Sequence, residues 1–136
     1  MTSYPSGHIV RLELESAGIV IELVAVIVGR DLLVSIHGGD AAHIGAVALA
    51  QPRASLQDAS KVSASTSVLC VLGHKEDLLA HRMAQAIASA LNCVVSVSCG
   101  IHIDQAKPKH LTQIPDMVDT LVRQLIDCLQ AGSKGD

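Results

Sequence analysis

The chain has 136 residues, a formal net charge of −3 and a hydrophobic fraction of 49%. This length suits one domain with a single core, and no run reaches the roughly 18 apolar residues of a membrane helix. The ten Lys and Arg residues are scattered and the only Phe, Trp or Tyr is Tyr4, so neither a basic stripe nor base-stacking aromatics point to nucleic acid.

The first half of the chain is predicted to be a series of strands. Residues 8–15 alternate charged and apolar side chains, which is the period of a strand with one solvent-exposed face. β-Branched residues dominate 19–28, and a turn at 29–31 leads into a further strand at 32–37. These two strands are therefore predicted to pair as a hairpin.

Two more strands precede the first helix. The strand at 44–50 is rich in Gly and Ala, which favours tight packing or the close approach of a ligand. The polar segment 51–63 is predicted to be an exposed loop, and 66–72 a short apolar strand. We expect 44–50 to continue the preceding strands as an antiparallel meander.

Helical spacing appears in the second half of the chain. Apolar residues recur three and four apart from His74 to about Asn92, a residue type that tolerates the left-handed conformation at a helix end. Residues 93–103 return to a strand pattern. A helix between this strand and 66–72 predicts that the two run parallel, joined by a right-handed crossover.

A final helix completes the predicted fold. An apolar stripe covers 114–129, with Pro115 suited to the first turn and Gly132 to the end. The order βββββαβα predicts an α/β (α+β) fold: a mixed, mostly antiparallel sheet of about six strands with two helices on one face. The other sheet face would need cover, so we expect a homodimer.

The cysteines and the N-terminal residues indicate the cellular compartment of the protein. No basic segment precedes an apolar core at the start of the sequence, so we expect no export signal. The cysteines lie in apolar patterns without a C-x-x-C pair, which favours reduced core residues: Cys70, Cys93, Cys99 and Cys128. We expect a single cytoplasmic domain over residues 1–136, with 1–7 and 131–136 flexible.

A first cluster of candidate binding residues lies at 35–45. Paired glycines permit unusual backbone angles beside two histidines and an aspartate. The candidates are His37, Gly38, Gly39, Asp40 and His43. The alternative is a tight turn that carries solvent-exposed histidines.

A second cluster lies where a strand gives way to a helix. Backbone N–H groups at the helix N-terminus would favour a phosphate or carboxylate at Gly73, His74 and Lys75. The spacing is not that of a P-loop, and Glu76 and Asp77 compete for the same positive helix end. Ordinary helix capping is the alternative.

A third cluster follows the last strand at 99–104. By strand alternation His102 shares a small, polar face with two serines, and it should lie along the same sheet edge as His74. A purely structural histidine is the alternative. His37, His74 and His102 would also suit zinc, with Asp40 or Glu76 as a base, although the usual hydrolase, metalloprotease and dinucleotide signatures are absent.

Three strings of the sequence, at 31–53, 72–77 and 100–102, resemble the small LpdD-type proteins. That family accompanies UbiD-type decarboxylases of gallate and related hydroxybenzoates and is described as prenylated-flavin chaperone-like. The resemblance extends from about residue 8 to residue 126. Its most specific part is the run Ile-Gly-Ala-Val-Ala at 44–48.

The resemblance implies a fold like that of the proteasome assembly chaperones, a dimer, and a non-enzymatic role in binding prenylated flavin mononucleotide (FMN) and assisting the partner decarboxylase. On this basis Gly73, His74 and Lys75 would hold the phosphate. The polar edges of the flavin would meet His37, Asp40, His43 or His102. Two alternatives remain at this stage: the histidine-ligated metal enzyme, and a structural subunit of the decarboxylase without a ligand.

Overall fold

The structure, a computed structural model, describes residues 4–73 and 76–134. Its elements follow the predicted order βββββαβα, so the predicted fold class is confirmed. They are β1 (Ile9–Ser16), β2 (Ile19–Val28), β3 (Asp31–Gly39), β4 (Ala46–Ala54), β5 (Val62–Cys70), α1 (Asp77–Leu91), β6 (Val95–His102) and α2 (His110–Lys134).

The strands form one six-stranded sheet in the order β1-β2-β3-β6-β4-β5. The predicted four-strand meander is wrong at its last step, because β6 lies between β3 and β4, parallel to β3 and antiparallel to β4. The sequence of β6 suits this central position, since it carries no charge before its last residue and its buried face is apolar. As predicted, β5 and β6 run in the same direction, but β4 lies between them.

Helix α1 packs against β4, β5 and β6. Its buried face consists of Ala80, Met83, Ala84, Ile87, Ala88 and Leu91. The facing side chains of β4 are also alanines and are fully buried, so helix and sheet can approach closely. Asn92 ends the helix in the left-handed conformation with φ 53°, as predicted. The predicted start at His74 lies outside the described residues, and the helix begins at Asp77.

Helix α2 is longer than the sequence pattern predicts. It begins at His110, so Pro115 lies inside the helix and not in its first turn. At the other end Gly132 lies within the helix and does not end it. The ring of Tyr4 packs where a side chain at this position would be. The apolar stripe of α2 packs on β1, β2 and α1.

Both helices cover the same face of the sheet. Beneath them the core is built from large aliphatic residues: Ile21, Leu23, Ile27, Ile36, Leu121, Leu125 and Leu129. The alternate strand residues form the opposite face, which we call the open face; its apolar members include Val20, Leu33, Val47 and Leu49, each between 38% and 51% exposed. Among the residues that the structure describes, no helix is both long and apolar enough to cross a membrane.

Candidate functional site

One edge of the sheet collects the segments that the sequence analysis singled out. The parallel pairing of β3 with β6 sets Gly39 opposite His102, and the Val71 N–H donates to Gly45 O at 2.7 Å, which brings the end of β5 to the same edge. Five polar side chains meet there: Asp40, His43, Glu76, His102 and Asp104. We call this group the strand-end cluster.

Asp40 connects the loop after β3 to the loop after β6. Its backbone N–H donates to His102 O at 2.7 Å, and its carboxylate accepts the Asp104 N–H at 2.7 Å. The Asp104 carboxylate in turn lies 3.0 Å from His102 Nε2. The His102 side chain remains 53% exposed, so this network fixes the position of an imidazole that a ligand can still reach.

His43 and Glu76 form the most buried ion pair of the cluster. His43 Nε2 lies 2.7 Å from Glu76 Oε1, and the two side chains are 21% and 13% exposed. The other ring nitrogen lies 3.1 Å from Ala41 O. Both ring nitrogens thus lie within hydrogen-bonding distance of oxygen atoms. The rings of His43 and His102 stand edge to face at 6.5 Å.

Two glycines make room for this arrangement. A side chain at Gly100 would overlap the backbone carbonyl of His43, and a side chain at Gly45 would overlap the Glu76 carboxylate. Both positions lie at the cluster end of neighbouring strands. The absence of side chains there lets the loop that carries His43 and the segment that carries Glu76 lie directly over the sheet edge.

The structure does not bring His37 into the cluster. Its Nδ1 lies 2.9 Å from Ser35 Oγ, and its Nε2 lies 3.2 Å from Glu22 Oε2 on the neighbouring strand. Both contacts are on the open face. Gly38 and Gly39 end the strand, and each packs against backbone so closely that a side chain would overlap it.

The second predicted cluster is described only in part. Gly73 has φ +83°, and no described residue lies within 4 Å of where its side chain would project. His74 and Lys75 lie outside the described residues, so the phosphate site assigned to them stays a prediction. The histidine set proposed for zinc includes His74 as well. Within 4–73 and 76–134, no three His, Cys, Asp or Glu residues are grouped as metal ligands.

Beside the cluster lies a cleft of about 1230 Å³ between α1, the end of β6 and the start of α2, which we call the helix cleft. Gly73, Glu76 and His102 line one part of it, so the cleft and the cluster share residues. The cleft was not predicted from the sequence. Leu78 and Leu111 in its lining are each 80% exposed in the structure, which the apolar pattern of the helices does not reveal.

The interior beneath the cluster is dry. Burial, together with a smaller contribution from the nearby charge of Glu76, raises the pKa of the Cys99 thiol to about 12. At the opposite end of β6 from the cluster, burial also raises the pKa of Cys93 to about 11, with a smaller contribution from Asp31. Both thiols therefore remain protonated and unreactive near neutral pH.

The chain is similar to known proteins in both sequence and fold. Residues 15–130 match the model of the prenylated flavin chaperone LpdD-like domain. Protein LpdD of Lactiplantibacillus plantarum is 30% identical over 124 residues, which cover 86% of this chain and 82% of that protein. A crystal structure of a chaperone complex for yeast 20S proteasome assembly has the same fold, with a TM-score of 0.58 at 15% identity over 92% of this chain and 96% of that one. The chain therefore belongs to the LpdD-like prenylated flavin chaperone family.

Proposed function

We propose that this protein is a non-enzymatic accessory protein that binds prenylated FMN and assists the maturation or protection of a UbiD-type decarboxylase in the cytoplasm. The observation that carries the proposal is the strand-end cluster beside the helix cleft, in a chain whose family is named for prenylated flavin. A polar cluster that adjoins a large apolar recess suits a ligand with a polar edge and an apolar body.

The residues present fit such a ligand. The helix cleft, at about 1230 Å³, is roomy enough for a flavin. Asp40, His43 and His102 lie beside it and offer donors and acceptors for the polar edges of the ring system. The space at Gly73 that no described residue fills, next to the helix start, supports the proposal that the phosphate binds at this turn.

The internal hydrogen bonds of the cluster hold its side chains in fixed positions. Asp40 is used to hold the loop that carries Asp104, and Asp104 is used to hold His102. His43 is oriented by Glu76. Side chains held in place by one another provide a rigid, preorganised surface for a ligand, and this preorganisation is what a carrier of a cofactor requires.

The proposed homodimer would use the open face. Exposed apolar side chains on this face, including Leu33 and Leu49, alternate with positively and negatively charged side chains, including Arg11 and Glu13. A second copy packed on this face would remove those apolar side chains from water. Light scattering tests this: Leu33→Asp should yield monomers. Leu56→Asp, in the 55–61 loop, is the matched control and should leave the dimer intact.

The experiment that tests the ligand is co-expression of the protein with a flavin prenyltransferase, followed by anaerobic purification, an absorbance spectrum and mass analysis. The wild type should carry prenylated FMN. His102→Gln and His43→Gln should each lower the amount bound at least about tenfold, which is ~1.4 kcal/mol of binding free energy. His8→Gln, at the opposite end of the sheet, is the control.

The accessory role has a separate readout. Loaded protein mixed with an apo UbiD-type decarboxylase should increase the yield of active decarboxylase relative to free prenylated FMN. A colourless wild type that still binds the decarboxylase would support the structural-subunit alternative instead. If the flavin-loaded protein has no effect on the decarboxylase, the protein binds the flavin but does not assist this partner, which contradicts the accessory role.

A further inference from the structure

The two edges of the sheet differ in how they are protected. β1 forms one edge and carries charged side chains at Arg11, Glu13 and Glu15. β5 forms the other edge with the sequence Val-Ser-Ala-Ser-Thr-Ser-Val-Leu-Cys, which contains no charge and no proline. Its register with β4 runs through nine successive pairs without a bulge. Charges, prolines and bulges keep sheet edges from pairing with other chains, and β5 has none of them.

The backbone of β5 offers a row of unused hydrogen-bonding groups. Just beyond the strand, the Val71 N–H donates to Gly45 O at 2.7 Å, so the odd-numbered residues of this ladder face β4. The even-numbered residues from Val62 to Val68 therefore direct their N–H and C=O groups away from the sheet. Among the residues that the structure describes, no strand pairs with this side of β5. The edge can accept one more strand.

Apolar side chains continue along this edge toward the strand-end cluster. Leu69 is 80% exposed near the end of β5, and Leu72, just beyond the strand, is 99% exposed. The bond from Val71 to Gly45 holds this end of β5 at the same sheet edge as the cluster. A strand added beside β5 would therefore gain backbone hydrogen bonds along its length and apolar contacts next to the cluster.

The size of this edge favours a transient partner over a second copy of the chain. A strand of nine residues is about 30 Å long and one strand spacing is about 4.8 Å, so the edge is a narrow strip. A stable dimer buries roughly 800 Å² per partner, an area that the six-stranded open face approaches and a single edge does not. Delivery of a cofactor requires a partner that dissociates again, which suits a small interface.

We propose, building on the proposed function, that the β5 edge is the docking site for the decarboxylase, which adds an extended, uncharged segment of its own chain to the sheet as a seventh strand. Backbone pairing supplies the affinity, and the exposed leucines at the cluster end favour apolar side chains in the added segment. The docked decarboxylase then lies beside the strand-end cluster, so the bound flavin has a short path to it. The open face stays available for the homodimer.

Proline on the edge tests the inference. Thr66 lies at the centre of β5 with its N–H directed away from β4, so Thr66→Pro removes an outward donor without breaking a bond of the ladder. It should weaken the binding of an apo UbiD-type decarboxylase at least about tenfold in calorimetric titration. Thr66→Val loses only the hydroxyl that lies 3.3 Å from Gln85 on α1 and keeps the N–H, so it should retain most of the affinity. Circular dichroism and the flavin load check that both variants fold.

The β1 edge provides the matched control. Glu13 lies at an outward position there, so Glu13→Pro makes the same backbone change on the opposite edge and should bind the decarboxylase like the wild type. Amide hydrogen exchange then compares the two edges of the unmodified chain. The outward N–H groups from Val62 to Val68 should exchange more slowly once the apo decarboxylase is bound, whereas those of β1 should exchange as they do in the free protein.

The outcomes separate this inference from the proposed function. Weak decarboxylase binding by Thr66→Pro, with a full load of flavin, supports the inference. Wild-type affinity in Thr66→Pro, or unprotected β5 amides in the complex, overturns it and leaves the proposed function standing. A lower molecular mass of Thr66→Pro in light scattering also overturns it, because the edge would then hold a second copy. A wild type that carries flavin and does not bind the decarboxylase overturns the accessory role together with the inference.

Discussion

The strand-end cluster and the open face each hold a histidine paired with a glutamate. In the cluster, His43 lies 2.7 Å from Glu76 and the side chains are 21% and 13% exposed. On the open face, His37 lies 3.2 Å from Glu22 and the side chains are 26% and 47% exposed. Both pairs join an imidazole to a carboxylate, but only in the first pair are both side chains largely shielded from water.

The two pairs also arise differently. Glu22 and His37 are direct cross-strand partners in a regular antiparallel register, so the β2–β3 hairpin alone brings them together. His43 and Glu76 come from irregular segments 33 residues apart in the chain, and glycines at the sheet edge make room for them. A regular sheet holds side chains at fixed spacing, whereas loops at strand ends can converge. Convergence is what a binding site requires.

The largest expected effect comes from closing the space that the cluster occupies. Gly100→Ala would place a methyl group on the His43 carbonyl, so we expect a loss of about 3 kcal/mol in the free energy of unfolding, measured by urea denaturation. Gly29→Ala is the control: φ there is +62° but the space is open, and a loss of about 1 kcal/mol is expected from backbone strain alone. Equal losses would mean that the cluster is loosely packed.

The second prediction compares the loss in unfolding free energy when each of the two glutamates is removed. Glu76→Ala leaves His43 without its carboxylate in a shielded site, so we expect a loss of about 2 kcal/mol. Glu22→Ala should cost less than about 1 kcal/mol, because water replaces the carboxylate on the open face. Glu76 makes no side-chain cap at the start of α1, so loss of a cap does not contribute. Urea denaturation at pH 7 measures both, and a larger loss for Glu22→Ala would reverse the comparison.

A smaller effect concerns the dry interior under the cluster. The pKa of Cys99 is raised from about 9 to about 12, so below pH 9 the thiol is protonated in both the folded and the unfolded chain and its contribution to stability is fully present. Between pH 9 and 12 the unfolded chain loses this proton while the folded chain keeps it, so stability falls as pH rises.

This pH dependence is measurable with one variant. From pH 8 to pH 10 the wild type should lose about 1 kcal/mol more unfolding free energy than Cys99→Ala. The cavity in the variant affects both pH values equally and cancels from the difference. If both proteins lose the same amount, the thiol is not shielded and the region beneath the cluster is wetter than its packing indicates.

The sequence predicted the regular elements better than their arrangement. The β2 run, the left-handed Asn92 and the shared direction of β5 and β6 followed from local pattern. The insertion of β6 beside β3 did not, because strand order depends on which distant faces pack best. The contact between Gly132 and the Tyr4 ring could not be predicted either, because the two residues are far apart in the chain.

For the candidate site, local pattern singled out residues but did not specify which of them come together. The predicted parallel direction of 66–72 and 93–103 placed His74 and His102 at one sheet edge, and His74 lies outside the described residues. The meeting of His102 with the loop that carries His43 was not predicted, because it depends on the parallel pairing of β6 with β3. The separation of His37 from them follows from the side chain's contact with Glu22, which strand alternation alone does not reveal. The helix cleft is built by two helices whose relative position no local pattern specifies.

The smallest expected effect is the one that separates the two regions most clearly. His37→Gln removes the imidazole of the open-face pair, and we expect a change in unfolding free energy within about 0.5 kcal/mol, because the site is partly hydrated and water can replace the lost contacts. The variant should also retain its full load of prenylated FMN, in contrast to His43→Gln. If His37→Gln lost the flavin and kept its stability, the ligand would lie on the open face. The regular hairpin that pairs His37 with Glu22 would then be the binding surface, and the convergence of loops at the sheet edge would serve only to hold the fold.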